Sequence, residues 1–210
     1  MQSPPVVLVH GYLAMASQLI PMQRRFQQQG LRTHLVKMSP LCIRDVRTLG
    51  KQLQQSIDRI CEREQTQQVD IVGVSLGGIL GLRYAQQATR GKVRRLITIG
   101  TPFLGTWSAT VGLPLLGGIS RGIWQTLPTS DVIQDLVAQG VPDGVDLTAI
   151  SMRGDMLCPP TRCTLPGAKT VVLEGRTSPL THQWLVLSRS AFSAAHHALT
   201  ASEVQVQRAM

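Results

Sequence analysis

Six short runs rich in apolar and β-branched residues are separated by stretches of helical spacing. This alternation restricts the fold more than any other feature of the chain. The runs are Val6–Val9, Thr33–Val36, Val69–Val74, Leu96–Ile99, Val145–Ser151 and Thr170–Leu173. The central ones are apolar nearly throughout instead of every second residue, as strands are when both faces of a sheet are covered. Between them, Ser17–Gln29 sets Leu19, Ile20, Met22 and Phe26 on one face, with Pro21 in the first turn and Gly30 as the stop. Val46, Leu49, Leu53, Ile57, Ile60 and Cys61 recur at three- and four-residue spacing behind Asp45, a capping residue. Leu76–Gln87 reads as a Gly-rich helix, and a last helix is predicted from about His182 to Leu199. The pattern predicts an α/β fold, a doubly wound, mostly parallel six-stranded sheet with helices on both faces. With 210 residues, 43 % of them hydrophobic, it is predicted as a single domain over 1–210. An apolar, Gly/Pro-rich insert at about 101–145 interrupts it, with a helix near Ser130–Ala138.

Ligands of such sheets bind beyond the carboxyl ends of the strands. The loops to search therefore follow Val9, Val74, Ile99, Ser151 and Leu173. After the third strand stands Gly73-Val74-Ser75-Leu76-Gly77, a G-x-S-x-G between an apolar strand and a helix. A serine at that turn is held in a strained conformation with its hydroxyl above the sheet edge. The helix beginning at Leu76 aims its first amides at the same spot.

A serine nucleophile needs a base, and the base needs an orienting group. Of five histidines, His10 ends the first strand, His34 lies within a strand, and His196 and His197 fall deep in the last helix. His182 alone follows the final strand on the ligand side. Among the carboxylates, Asp155 stands in a loop after a strand, between Ser75 and His182 in sequence. Glu174, at the end of the last strand, is the alternative. The order Ser, Asp, His is that of α/β-hydrolases. An oxyanion site needs two amides, assigned to Leu76 N–H and Tyr12 N–H, the latter in the loop after the first strand.

Val6-Val7-Leu8-Val9-His10-Gly11-Tyr12, Val69 to Gly78 and Gly100-Thr101-Pro102-Phe103-Leu104-Gly105-Thr106 resemble the α/β-hydrolase superfamily. In particular they resemble its small bacterial lipases and the related PGAP-type and palmitoyl-thioesterase-like acyl hydrolases, over about residues 5–198. The resemblance implies acyl transfer through Ser75, His182 and Asp155 and no cofactor. A carboxylic, lipid-like ester is the expected substrate. A thioesterase or acyltransferase with the same triad, or a catalytically silent binding protein, is the alternative. Where these lipases often carry a histidine after Thr-Pro, this chain has Phe103. The two leading antiparallel strands of larger relatives are not expected.

Phe103, Leu104, Trp107, Val111, Leu113, Leu115, Leu116, Ile119 and Trp124 crowd the insert without strand or helix periodicity. Phe103, Leu104 and Trp124 are the expected acyl-binding residues, and peripheral contact with a membrane is expected from the same surface. The net charge of +9 raises nucleic acid as a partner. Aromatics at 4 % and the absence of a binding motif argue against it. Arg90, Lys92, Arg94 and Arg95 are expected as a solvated cluster in the loop before the fourth strand.

The four cysteines show no C-x-x-C pair and no Cys/His ligand spacing, so no metal is expected. They are expected as thiols, with a Cys158–Cys163 bridge as the alternative. The first apolar run is too short for a secretory leader, and a cytoplasmic location is expected. The uncharged stretch 96–120 is broken by Pro102, Pro114 and five glycines, which argues against a spanning helix.

Overall fold

The computed structural model describes residues 3–38, 44–107, 121–178 and 180–201. Six strands, β1 (Val6–Val9), β2 (Thr33–Leu35), β3 (Val69–Val74), β4 (Val93–Ile99), β5 (Asp146–Met152) and β6 (Lys169–Leu173), form one sheet in the order β2-β1-β3-β4-β5-β6. Every pair is parallel. The helices are α1 (Ile20–Gln28), α2 (Val46–Glu64), α3 (Leu76–Gln87), α4 (Arg121–Trp124, one turn), α5 (Asp131–Gln139), α6 (Thr181–Leu185) and α7 (Arg189–Thr200).

Because β1 and β3 are buried on both faces, their side chains divide between two cores. Val7, Val9 and Ile71 join Leu49, Leu53 and Ile57 of α2 and Ile79 and Leu80 of α3. Val6, Leu8 and Val72 join Met22 and Phe26 of α1 and Ala191 and Ala195 of α7. The α2 start is fixed as the sequence indicates, with the Asp45 carboxylate accepting the Arg47 N–H at 2.8 Å. The Ser130 hydroxyl caps α5 by accepting the Ile133 N–H at 3.2 Å. The chain winds from β1 outward to β2 and then crosses to β3 on the other side of β1. The resulting crevice opens at the carboxyl ends of β1 and β3.

Two expectations are corrected. First, β4 begins at Val93, three residues before Leu96, so Arg94 and Arg95 lie inside a strand and are not part of a solvated loop. The Arg94 guanidinium donates to both oxygens of the buried Asp70 carboxylate at 3.0 and 2.6 Å. The Arg95 guanidinium donates to the carbonyls of Leu199 and Ala201, which α7 leaves unpaired at its end. These partners offset the burial of charge that the hydropathy pattern reads as exposed. Second, the single last helix is two, α6 and α7. Ser188 breaks it, because its hydroxyl accepts the Ala191 N–H at 3.2 Å and starts a new helix.

Val111, Leu113, Leu115, Leu116 and Ile119 of the insert fall outside the described residues. Among the described residues no helix is long and apolar enough to cross a membrane.

Candidate active site

The turn from β3 into α3 carries Ser75 at φ 54° and ψ −123°, a left-handed backbone that a side chain rarely adopts. Three contacts hold it there. The Ser75 N–H donates to the Ile99 carbonyl at 2.9 Å, and the Ser75 carbonyl accepts from the Gly78 N–H at 3.0 Å. The same carbonyl accepts the Thr101 hydroxyl at 2.9 Å. The turn is tight enough that a Cβ on Gly77 would stand 2.2 Å from the Val9 carbonyl oxygen. Thus α3 passes almost in contact with the end of β1. Gly11 is constrained from the opposite side, since a Cβ there would lie 2.9 Å from Ser75 Cβ. The loop holding Gly11 and Tyr12 is thereby pressed against the serine.

His182 stands at the second position of α6, with Nε2 at 2.9 Å from Ser75 Oγ and Nδ1 at 2.8 Å from Asp155 Oδ2. Gly100, at φ 59°, runs beneath the ring, and a Cβ there would meet His182 Cε1 at 3.2 Å. Asp155 is 2 % exposed. Its other oxygen, Oδ1, accepts the Leu157 and Cys158 N–H groups, both at 2.9 Å. The carboxylate is therefore fixed in rotation, with one oxygen held by backbone and the other turned to the imidazole. A bridge between Asp155 and Ser178 ties this loop to the one leading into α6.

Ser75, His182 and Asp155 are thus brought together by loops after β3, β6 and β5. The alternative acid is not among them. Glu174 points to solvent and pairs with Arg153 at 2.9 Å. His10 is buried, and burial pushes its imidazole pKa down against a smaller upward pull from the Gly11 carbonyl. Cys158 and Cys163 are buried free thiols, the latter donating to the Cys158 carbonyl at 3.3 Å. Burial pushes the Cys163 thiol up to about 12, so neither the pairing nor the protonation suits a nucleophile.

Of the expected acyl-binding residues, Trp124 is half exposed and Leu104 partly buried. Phe103 is corrected: it is wholly buried, within the core that also holds Val132, Ile133 and Leu136 of α5. A fully buried ring offers no open surface to a substrate. Sequence reading passed over other apolar residues beyond strand ends. Leu13 and Met15 after β1, Met156 after β5, and Leu180 and Trp184 after β6 are all exposed. For Leu13, Met15 and Met156 the signal was positional, since each follows a strand by a few residues on the ligand side, whereas Trp184 lies within α6. Thr101 was also missed, because one threonine after a strand is indistinguishable from any other without its partner.

The family model for palmitoyl protein thioesterases matches residues 5–144. That span includes Gly11, Tyr12 and Ser75 and stops before Asp155 and His182. No curated protein matches the chain. Among solved structures it is similar to the mature lipase BlEst2 of Bacillus licheniformis, 17 % identical over 94 % of this chain and 92 % of that one, with TM-score 0.77. It is similar to the product of gene lin2722 from Listeria innocua, 17 % identical over 96 % of both chains, with TM-score 0.70. MGS-MChE2, an α/β hydrolase enzyme from a lagoon-sediment metagenome of Mar Chica, is 19 % identical over 100 % of this chain and 93 % of that one, with TM-score 0.61.

Proposed function

The chain belongs to the palmitoyl protein thioesterase family and has the hydrolase-type fold of lipases and esterases, and from that premise we propose that it cleaves lipid-like carboxylic esters through Ser75, His182 and Asp155. The observation that carries this reading is the unbroken hydrogen-bond chain from Ser75 Oγ through His182 to Asp155, 2.9 and 2.8 Å long, at a strained strand-to-helix turn. In the tautomer with the proton on Nδ1, His182 donates to Asp155 and leaves Nε2 to accept from the serine.

His182 takes the Ser75 proton as Oγ forms a bond to the acyl carbon. The amides of Leu76, at the positive end of α3, and of Tyr12 receive the oxyanion. The alcohol then leaves with the proton from His182. Water, deprotonated by the same imidazole, releases the acid and restores Oγ–H. Asp155 keeps its charge and stabilises the imidazolium at both stages. The half-exposed apolar side chains beyond the strands, Trp124 among them, give an acyl chain a surface to cover and supply the reading's contact with lipid.

The family match favours a second reading, in which the leaving group is a thiol. The chemistry of Ser75 is the same in both. A fluorophosphonate probe should label Ser75, and medium-chain p-nitrophenyl esters and acyl thioesters compared side by side should rank the leaving groups. Labelling that persists in Ser75→Ala refutes the nucleophile. Absence of turnover on both substrate types by a protein that labels normally refutes hydrolysis.

A further inference from the structure

A groove of about 740 Å³ runs between α2 and α3 and under the loop from Ala88 to Lys92. None of Ser75, Asp155 and His182 lines it. Five cations do, namely Arg47, Lys51, Arg83, Arg90 and Lys92, against one carboxylate, Asp58. Arg47 and Lys51 are four residues apart on α2 and so share a face. The single acid is already engaged, lying 3.9 Å from Lys92, and Arg47 turns to Asp131 at 3.0 Å. Lys51, Arg83 and Arg90 form no ion pair among the described residues. Arg83 goes further, since its Nη1 is shut off from solvent and has no hydrogen-bond partner among the described residues.

Folded proteins pair the buried atoms of a charged group, because desolvation without a partner costs more than the contacts around it return. Gathering further like charges along the same groove adds repulsion that an anion would relieve. We propose that this groove is a second site, separate from the hydrolytic one, which takes a small ligand carrying one or more phosphates. Guanidinium forks at Arg83 and Arg90 match the oxygens of a phosphate in pairs, and the Lys51 ammonium adds a point charge. The groove has the size of an ordinary small-molecule site. Arg90 and Lys92, expected in sequence as part of a solvated cluster, form its far wall. The same chemistry is presented by a soluble phosphate and by a phospholipid headgroup.

Titration calorimetry of the whole protein with pyrophosphate at low salt tests the site, beside sedimentation with phosphatidylglycerol and phosphatidylcholine vesicles. Saturable one-to-one binding of pyrophosphate, weakened at least tenfold in K51Q/R90Q and in Arg83→Gln, supports a soluble phosphate ligand. Binding to phosphatidylglycerol but not phosphatidylcholine vesicles, lost in the same variants and displaced by pyrophosphate, supports a headgroup. Ester turnover should be unchanged in K51Q/R90Q, which keeps this test independent of the triad. The proposal is overturned if neither probe binds saturably, if the variants bind as the parent does, or if chloride competes as well as phosphate, which would leave water as the partner of Arg83.

Discussion

Replacing Asp155 by Asn changes one atom, and the surroundings dictate which way the new amide faces. Oδ1 accepts two backbone N–H groups at 2.9 Å, from Leu157 and Cys158. The amide oxygen must take that place, which leaves the amide nitrogen 2.8 Å from His182 Nδ1. Two donors cannot face each other, so the imidazole gives up its Nδ1 proton and carries it on Nε2, where it can no longer accept from Ser75. The productive tautomer returns only if the amide flips and abandons both backbone bonds. Each unmade buried bond costs about 1–3 kcal/mol, so the flip costs roughly 2–6 kcal/mol. At about 1.4 kcal/mol per factor of ten, kcat should fall by roughly 30- to 10⁴-fold. The fold should hold, because the two backbone bonds survive in the unflipped form. The measurements are kcat on a p-nitrophenyl ester and Tm of both proteins. A kcat within fivefold of the parent, at unchanged Tm, refutes the assignment of Asp155 and the tautomer argument together. Glu174→Gln is the control and should leave kcat within about twofold, since its carboxylate is exposed and paired with Arg153.

Three further outcomes are expected. Gly77→Ala places a Cβ 2.2 Å from the Val9 carbonyl oxygen and should cost about 3 kcal/mol or more in denaturant melts, with activity lost alongside, because backbone and not a side-chain tip must move. Trp124→Asp should lower kcat/KM on medium-chain esters more than on acetate, since each buried CH₂ contributes up to ~0.8 kcal/mol; equal loss on both would remove Trp124 from acyl binding. For Asp45, burial pushes the carboxyl up, but the Arg47 amide, the Gln125 side chain, the Thr48 amide and the Arg47 charge together leave it below its ordinary 3.8. An acid with a depressed folded-state pKa stabilises above its unfolded value and loses that contribution as pH falls through the folded one. Asp45→Ala should therefore cost about 1 kcal/mol at neutral pH, a gap in Tm that closes as the pH drops below 3.8.

The local sequence determined a good deal of this protein. Continuous apolar runs marked the buried parallel strands, because a strand covered on both faces has no reason to alternate. Asp45 marked the start of α2, since capping is a contact between residues two or three apart. Gly73 to Gly77 marked the strained strand-to-helix turn at Ser75, whose steric demand is met by adjacent residues. His182 and Asp155 were reachable because parallel topology places every strand-end loop on one side, so position along the chain stood in for position in space. What required long-range contacts stayed hidden. Arg94 and Arg95 read as solvent-facing until Asp70 and the carbonyls of Leu199 and Ala201, 24 to 106 residues away, were seen to neutralise or accept from them. Phe103 read as substrate-facing because an apolar residue carries no mark of which side of a loop it occupies, and only the tertiary fold buries it. The cationic groove between α2 and α3 was a scatter of surface charges in the chain. Tertiary structure alone put Lys51, Arg83 and Arg90 along one wall-to-wall cleft, because helix packing, unlike helix formation, is decided by residues far apart in sequence.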